Sequence, residues 1–297
     1  MSWDMQAPLE LAVAHQQHFT YGFINPAMAF FFSVAGSYLG LTCARYSRAS
    51  TGTGSRLRWI ALSSFALGGI GIWMMHFTAM IGFTVDGMSI AYDLPLTALS
   101  LLIAIASVAA GLWIAGTADQ SWYRLIPAGA VCGLGVAGMH YTGMAAMRFP
   151  GRMDYDAVLV AASIVIAVVA ATVALRFTAV VSRRGSMMAA SVVMAVAVCG
   201  MHYTGMMAIV IEPNHEVAEG GIEALKLIIP ILVFAAAGIV GLIFAVLGAP
   251  GSTAAEDYRP NAERASGAAP HLSVQPGDRQ GSPAGFERGT SFDQPSS

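Results

Sequence analysis

The sequence predicts an all-α, polytopic membrane protein with seven transmembrane helices, built from three two-helix repeats and one further helix. Two observations predict this fold class. Hydrophobic residues make up 56% of the 297-residue chain and charged residues only 11%, whereas soluble domains carry about 25% charged residues. A six-residue motif also recurs three times within apolar segments, which is typical of a repeated structural unit.

Seven apolar segments are predicted to cross the membrane. Because an α-helix rises about 1.5 Å per residue, each segment is long enough to cross a hydrocarbon layer of about 30 Å. The bilayer interior offers the backbone no hydrogen-bond partners, so each segment is predicted to be a helix. The segments cover residues 25–45, 59–83, 94–115, 125–147, 157–181, 187–210 and 225–247.

Basic residues predict the orientation of these segments. They concentrate in the connections after segments 1, 3 and 5, whereas acidic residues dominate the opposite connections. Since arginine and lysine favour the cytoplasmic side, the N-terminus is expected outside and the C-terminus in the cytoplasm. The basic residues are Arg45, Arg48, Arg56, Arg58, Arg124, Arg183 and Arg184, with Arg148, Arg152 and Lys226 as exceptions on the other side.

Composition divides the chain into three regions. Residues 1–20 are expected to form an extracytoplasmic N-terminal segment, and residues 21–247 the seven-helix membrane domain. Residues 248–297 are rich in Gly, Ser, Pro and Ala and have no helical period. We expect this last region to be a disordered cytoplasmic tail.

The repeated motif reads Met-His-aromatic-Thr-small-Met. Its copies occupy residues 75–80, 139–144 and 201–206, so successive copies begin 64 and 62 residues apart. They lie near the outer ends of segments 2, 4 and 6, which places the three histidines at one depth. Ionisable side chains inside a membrane are costly and indicate a functional site.

The motif predicts a metal site with imidazole and thioether ligands. Each histidine and the methionine four residues later project from one face of a helix, whereas the methionine preceding the histidine points about 100° away. Thioethers favour Cu(I), and imidazole suits copper, zinc and iron, so copper is favoured. The candidate ligands are Met75, His76, Met80, Met139, His140, Met144, Met201, His202 and Met206.

Other motif positions have structural interpretations. Phe77, Tyr141 and Tyr203 are typical of interfacial aromatics, and the three threonines are expected to bond to helix carbonyls. Glycines are expected to leave room for a close neighbour or a ligand beside the motif, and elsewhere to let helices approach closely. These glycines are Gly143 and Gly205 in the motif, and Gly68, Gly69, Gly71, Gly133, Gly135, Gly138 and Gly200 elsewhere.

The triple Met-His-aromatic-Thr motif on alternate helices resembles the MHYT domain, an integral-membrane sensor module of bacteria, over about residues 21–247. The resemblance implies a copper site near the outer face, with O₂, CO or NO as the signal, in the bacterial cytoplasmic (inner) membrane. The ligands that it implies are Met75, His76, Met139, His140, Met201 and His202, and the first copy departs from the family pattern at Phe77.

The expected function is that of a signalling sensor, in a stand-alone form of the domain. Many members carry a cytoplasmic enzyme domain, and here a separately encoded cytoplasmic signalling protein is the expected partner. The chain has no GxSxG or HExxH motif, so no catalysis is expected, and no nucleic acid is expected as a partner. A metal-ion transporter or channel is the alternative function, and haem held by two histidines is the less favoured cofactor.

Overall fold

The structure, a computed structural model, describes residues 16–17, 22–85, 90–116, 121–213 and 220–249, and most of these residues lie in seven long helices. Within these residues, seven helices are long and apolar enough to cross a membrane, which confirms the predicted fold class. They are α1 (Ile24–Ala49), α2 (Thr53–Ile81), α3 (Leu94–Ala115), α4 (Trp122–Ala145), α5 (Ala157–Val180), α6 (Arg184–Met207) and α7 (Ala224–Leu247).

The helix boundaries follow the predicted segments, with the largest differences at the connection between α1 and α2. There α1 continues to Ala49 and α2 begins at Thr53, although the apolar runs end at 45 and resume at 59. The helices extend past the apolar runs into turns that carry arginines. Most of the predicted N-terminal segment, 1–20, and of the predicted tail, 248–297, lies outside the described residues.

The first six helices form a closed ring. Consecutive helices pack against each other from α1 to α6, and α1 in turn packs against α6. The seventh helix packs on α1 and α2. The three motif-bearing helices, α2, α4 and α6, therefore alternate with the other three around the ring.

Helix α2 differs from the other two motif-bearing helices. Residues Phe65–Met74 form a π-helix, and an α-helical turn resumes at Met75. The π-helix is a wider form of helix that often occurs at functional sites. It contains Gly68 and Gly71, and a Cβ on Gly68 would lie 2.6 Å from the carbonyl oxygen of Ala104 in α3. Gly68 thus allows the widened turns directly before the first motif to pack closely against α3.

The glycines predicted to allow close helix packing do so at some positions only. A Cβ on Gly133 would lie 2.7 Å from the carbonyl oxygen of Ala167 in α5, and a Cβ on Gly135 would collide with Ser107 in α3. The prediction is wrong for Gly138 and Gly200, where an added Cβ would meet nothing closer than 4.0 Å. These two glycines do not mediate close helix contacts among the described residues.

Short β-ladders cover the end of the ring where the motifs lie. They involve the connections that follow α2, α4 and α6, which sequence analysis treated as loops. The ladders pair β1 with β2, β3 with both β4 and β7, and β5 with β6, all antiparallel. The strands are β1 (Gln16–Gln17), β2 (Thr84–Val85), β3 (Ala91–Tyr92), β4 (Met147–Arg148), β5 (Gly151–Tyr155), β6 (Ile209–Pro213) and β7 (Ile222–Glu223).

Two aspartates join these ladders to the helices in equivalent ways. Asp93 and Asp156 are the N-cap residues of α3 and α5, and their carboxylates accept hydrogen bonds from first-turn amides. Their own backbone amides donate to the carbonyls of Ala146 and Ala208, each at 2.8 Å. These alanines directly follow α4 and α6, so each capped helix is tied to the end of the next motif-bearing helix.

The charge of Asp93 should stabilise the fold in a pH-dependent way. The Leu96 amide and Arg148, whose Nη2 lies 2.9 Å from the carboxylate, hold the pKa of Asp93 below its ordinary value. The stabilisation is therefore complete above the ordinary Asp pKa of about 3.9 and is lost as the pH falls through the lower pKa of the folded protein.

The variant Asp93→Asn keeps a capping side chain but lacks the charge. We expect a lower melting temperature than wild type at neutral pH and equal values once Asp93 is protonated, measured by thermal unfolding in detergent. A difference that stays constant across this pH range would contradict the assignment. The control is Asp154→Asn, since Asp154 forms a more exposed ion pair with Arg152 at 3.2 Å and caps no helix.

Candidate metal centre

Three histidines meet at one end of the ring. The Nδ1 atom of His76 lies 3.0 Å from the Nδ1 of His202 and 3.2 Å from the Nδ1 of His140. The three rings are mutually edge-to-face, with centroids 4.9–5.2 Å apart. Each imidazole comes from a different helix, so the three copies of the motif converge in space as expected.

Equal positions on the three helices produce this convergence. Each histidine lies five residues before the end of its helix, at 76 in a helix ending at 81, 140 in one ending at 145, and 202 in one ending at 207. The imidazoles are at most 1% exposed to solvent. The site is therefore enclosed, and no water is needed to explain the short contacts between the rings.

Hydrogen bonds among the three imidazoles alone satisfy their ring nitrogens poorly. A neutral imidazole has one N–H group and one lone pair, on different nitrogens. The Nδ1 atom of His76 faces two other Nδ1 atoms, and one proton or one lone pair serves only one of them well. A cation at the common centre would instead accept a lone pair from all three imidazoles.

The spacing of the nitrogens fits a metal ion. Two imidazole nitrogens that bind one tetrahedral ion at about 2.0 Å lie about 3.3 Å apart, close to the observed 3.0 and 3.2 Å. Among the described residues, these histidines are the one group of three or more His, Cys, Asp or Glu side chains that could hold a metal ion. The geometry alone does not select copper over zinc, since imidazole suits both.

Glycines of neighbouring motifs hold two of the imidazoles in place. The Nε2 atom of His76 lies against Gly143, and that of His140 lies against Gly205, so a Cβ at either glycine would collide with the ring. Both Nε2 atoms are buried without a hydrogen-bond partner among the described residues. The predicted room beside the motif is thus filled by the histidine of another repeat.

The contacts between repeats follow a cyclic order. The first histidine rests on the glycine of the second motif, and the second histidine rests on the glycine of the third. If the same order continued, His202 would rest on the small residue of the first motif, which is Ala79. The first repeat therefore departs from the other two at this position as well as in its π-helix.

The six candidate methionines are as buried as the histidines, at no more than 2% exposed. Met80, Met144 and Met206 all belong to one contiguous buried cluster. Of the methionines that precede the histidines, Met139 belongs to the same cluster, whereas Met201 and Met75 belong to two others. The structure thus groups the methionines four residues after the histidines, but not those one residue before.

Two structural interpretations of motif residues need correction. Phe77 is not an interfacial aromatic, since it is buried between Trp73 and Tyr92 with ring centroids 4.7 and 6.0 Å away. Thr204 donates its hydroxyl to the Gly200 carbonyl at 2.7 Å as expected. The hydroxyl of Thr78, however, is buried and has no partner in the described part of the chain.

Polar groups from other helices lie near the motifs and were not predicted from the sequence. Tyr141 shares a 2.7 Å hydrogen bond with Ser163 of α5, and its ring meets that of Tyr155 edge-to-face. Ser33 of α1 is fully buried, and its hydroxyl has no partner in the described part of the chain. Tyr141 is marked by its place in the motif, but no signal in the sequence sets Ser33 and Ser163 apart from the other serines of the helices.

Comparison with known proteins identifies tandem repeats in the same region. The sequence profile of the family described as "Bacterial signalling protein N terminal repeat", MHYT, matches residues 69–128 and 133–193. The first and second motif copies lie within these two matches, and the third copy lies beyond them. No solved structure matches the chain.

Curated relatives of the chain are signalling proteins. It is 38% identical over 195 residues to the bifunctional diguanylate cyclase/cyclic di-GMP phosphodiesterase MucR of Pseudomonas aeruginosa. The alignment covers 64% of this chain and 28% of that protein. It is 35% identical over 201 residues to the cyclic di-GMP phosphodiesterase NbdA of the same organism. The alignment covers 66% of this chain and 25% of that protein.

A third relative comes from Bacillus subtilis. The chain is 30% identical over 202 residues to the signaling protein YkoW of Bacillus subtilis, covering 64% of this chain and 24% of that protein. The chain thus spans about a quarter of the length of each of these relatives.

The contacts of the two motif glycines yield a prediction. In Gly143→Ala and Gly205→Ala, the added methyl group should displace the imidazole of His76 or His140 and lower metal affinity by about 10–100-fold, measured by competition with a chelator. The matched controls are Gly138→Ala and Gly200→Ala on the same helices, where space is available. Equal losses in all four variants would show that the motif glycines do not position the imidazoles.

Proposed function

The chain belongs to the MHYT family of bacterial signalling proteins, and on this basis we propose that it is a membrane sensor that binds copper and detects a diatomic gas or the redox state. The observation that carries the proposal is the convergence of three buried imidazoles from three separate repeats. In this proposal residues 21–247 form the sensor domain and contribute no catalytic step.

The proposed ligands are the imidazoles of the three histidines, completed by thioether sulfur. Soft sulfur ligands favour Cu(I) over zinc, calcium or magnesium. Each of Met80, Met144 and Met206 projects from the same helix face as the histidine four residues before it, and their grouping in one buried cluster supports these methionines before Met75 and Met201, which lie in other clusters. No described carboxylate belongs to the ligand group, which further favours a soft metal over a hard one.

The metal would supply an open coordination position for O₂, CO or NO, or a change of oxidation state. The protein contributes a site without access to bulk water and three ligands on separate helices. Because α2, α4 and α6 each hold one imidazole, a change in the ligand set would alter the preferred positions of these helices. A signal shifts such an equilibrium only if it binds the two arrangements with different affinity.

The distribution of charge supports a site on the outer side of the bacterial inner membrane, with the N-terminus outside and the C-terminus in the cytoplasm. All described acidic residues lie at the histidine end of the bundle, and the opposite end is rich in arginine, which favours the cytoplasm. The acidic residues are Asp93, Asp154, Asp156, Glu212 and Glu223. The arginines are Arg45, Arg48, Arg56, Arg58, Arg124, Arg183 and Arg184.

We further propose that the sensor acts on a separately encoded cytoplasmic signalling protein. The names of MucR and NbdA describe enzymes of cyclic di-GMP metabolism, and the chain spans about a quarter of each. The arginine-rich connections and the tail, 248–297, are the proposed contacts with this partner. The lipid bilayer surrounds the seven helices, and nucleic acid has no role in the proposal.

A metal-ion transporter or channel is the alternative function. Such a protein needs polar groups along a path through the membrane. Below the histidines, the centre of the ring is lined mainly by apolar side chains and by no charged residue among those described. This lining supports a sensor with a one-sided site over a transporter.

The proposal predicts that copper depends on the three motif histidines. Wild type purified from copper-supplemented cells should contain stoichiometric copper, and the variant with His76→Ala, His140→Ala and His202→Ala should contain none, measured by elemental analysis and optical spectroscopy. The matched control replaces the same number of histidines outside the motif, in His15→Ala, His18→Ala and His215→Ala, and should keep its copper.

Each alternative has a distinct result in this experiment. Equal metal content in the wild type and the motif variant would overturn the proposed site. Zinc in place of copper would overturn the choice of metal, and a Soret band would indicate haem. Copper uptake into vesicles that contain the wild type, but not the motif variant, would indicate a transporter.

A further inference from the structure

The ring of helices encloses a cavity below the histidines. All six helices of the ring line it, and its volume is about 50 Å³. A single water molecule needs about 10–15 Å³ of such space, so the cavity has room for a molecule of a few heavy atoms. It is too small for a lipid chain, a nucleotide or a peptide.

The lining excludes ions and accommodates water poorly. Most of the lining side chains are Ala, Val, Leu, Ile and Met, and none of the described ones is charged. The polar side chains of the lining are Ser37, Cys132 and Thr178, and the hydroxyl of Thr178, at one end, already donates to the Leu175 carbonyl at 2.7 Å. A buried water needs two to four polar partners close together and a buried ion without a counter-charge is costly, so a small apolar molecule fits this mainly apolar cavity best.

One end of the cavity lies beside the histidine cluster. Met201, which lines the cavity, directly precedes His202 in the chain, and Ile72, in α2, lies one turn before His76. Thr178 and Leu175 line the other end, near the arginine-rich connections. A molecule inside the cavity is therefore separated from the histidines by the layer of residues that adjoins the motifs.

The cavity also adjoins a groove on the outer surface of the ring, between α5 and α6. Exposed valines, among them Val165, Val169 and Val193, form the groove, and they would face lipid in a membrane. Ala170, Met194 and Ala197 line both the groove and the cavity. These three residues thus adjoin both the lipid-facing groove and the cavity, and one of them is a methionine, a flexible side chain that packs adaptably.

We infer that a small uncharged molecule, of the size of a diatomic gas, enters from the bilayer between α5 and α6 and occupies this cavity, where only the layer of residues that adjoins the motifs separates it from the histidine cluster. The inference deepens the proposed function, on which it rests for the role of the molecule, by assigning the route of the signal. An apolar gas dissolves readily in the hydrocarbon layer, and the route keeps it in apolar surroundings throughout.

Xenon is a suitable probe, because it is apolar, of similar size and independent of any metal. Wild type in lipid nanodiscs should bind xenon in the central cavity, detected by xenon NMR and, in pressurised crystals, by its density. Ala171→Leu should abolish binding, since Ala171 is buried and lines the cavity but not the groove. The control is Ala189→Leu, at an exposed position of α6 that lines neither.

The entrance is tested by the rate of xenon exchange between bilayer and cavity. Ala197→Phe and, separately, Ala170→Phe should slow the exchange several-fold, because a phenyl ring at either position would obstruct the passage from groove to cavity. Ala189→Phe should leave the rate unchanged. Two substitutions on different helices keep the test decisive if one variant does not fold.

The outcomes separate the inference from the proposed function. Absence of xenon from the wild-type cavity, or a lipid chain in its place, would overturn the inference. It would also be overturned if Thr178→Phe, at the arginine-rich end, slowed exchange while neither entrance variant did. The metal content of the protein does not affect these results, so loss of the copper proposal would leave the test of the route intact.

Discussion

The structure depends on the burial of three imidazoles at one point inside an apolar ring of helices. A ring nitrogen that leaves water is costly without a new partner, and here the Nδ1 atom of His76 faces the Nδ1 atoms of the other two histidines, where a shared cation would serve all three. No single repeat can build this site, because each supplies one histidine and a surface for another. The closure of the ring by α1 and α6 is what brings the first and third repeats together.

The repeats interlock through their smallest residues. His76 rests on Gly143 and His140 rests on Gly205, so the glycine next to each of these two imidazoles belongs to a different motif from the imidazole itself. This arrangement explains why the motif combines a large polar side chain with a glycine three residues later. The first copy has Ala79 at that position and a π-helix before it, so the site has only approximate threefold symmetry.

The sequence predicts the helices and the histidine cluster well, for physical reasons. Apolar length determines the spans, and equal spacing of a motif on alternate helices places His76, His140 and His202 at one depth. The β-ladders were missed because strands of two to five residues carry little pattern. The surroundings of Gly138, Gly200 and Phe77 were wrongly predicted. They depend on the rotation of each helix in the ring, and composition does not determine that rotation.

The β-ladders and the amides of Asp93 and Asp156 fasten the helix ends at the histidine side, whereas no described ladder joins the arginine-rich side. In such a bundle, a helix that tilts would pivot about its fastened end, the fulcrum, and its displacement would be largest at the arginine-rich end. Arg184 lies 18 residues before His202 in α6, which corresponds to about 27 Å along the helix. A tilt of about 5° at the fulcrum would displace that far end by about 2 Å, so a small rearrangement among the imidazoles becomes a movement large enough to repack a protein surface.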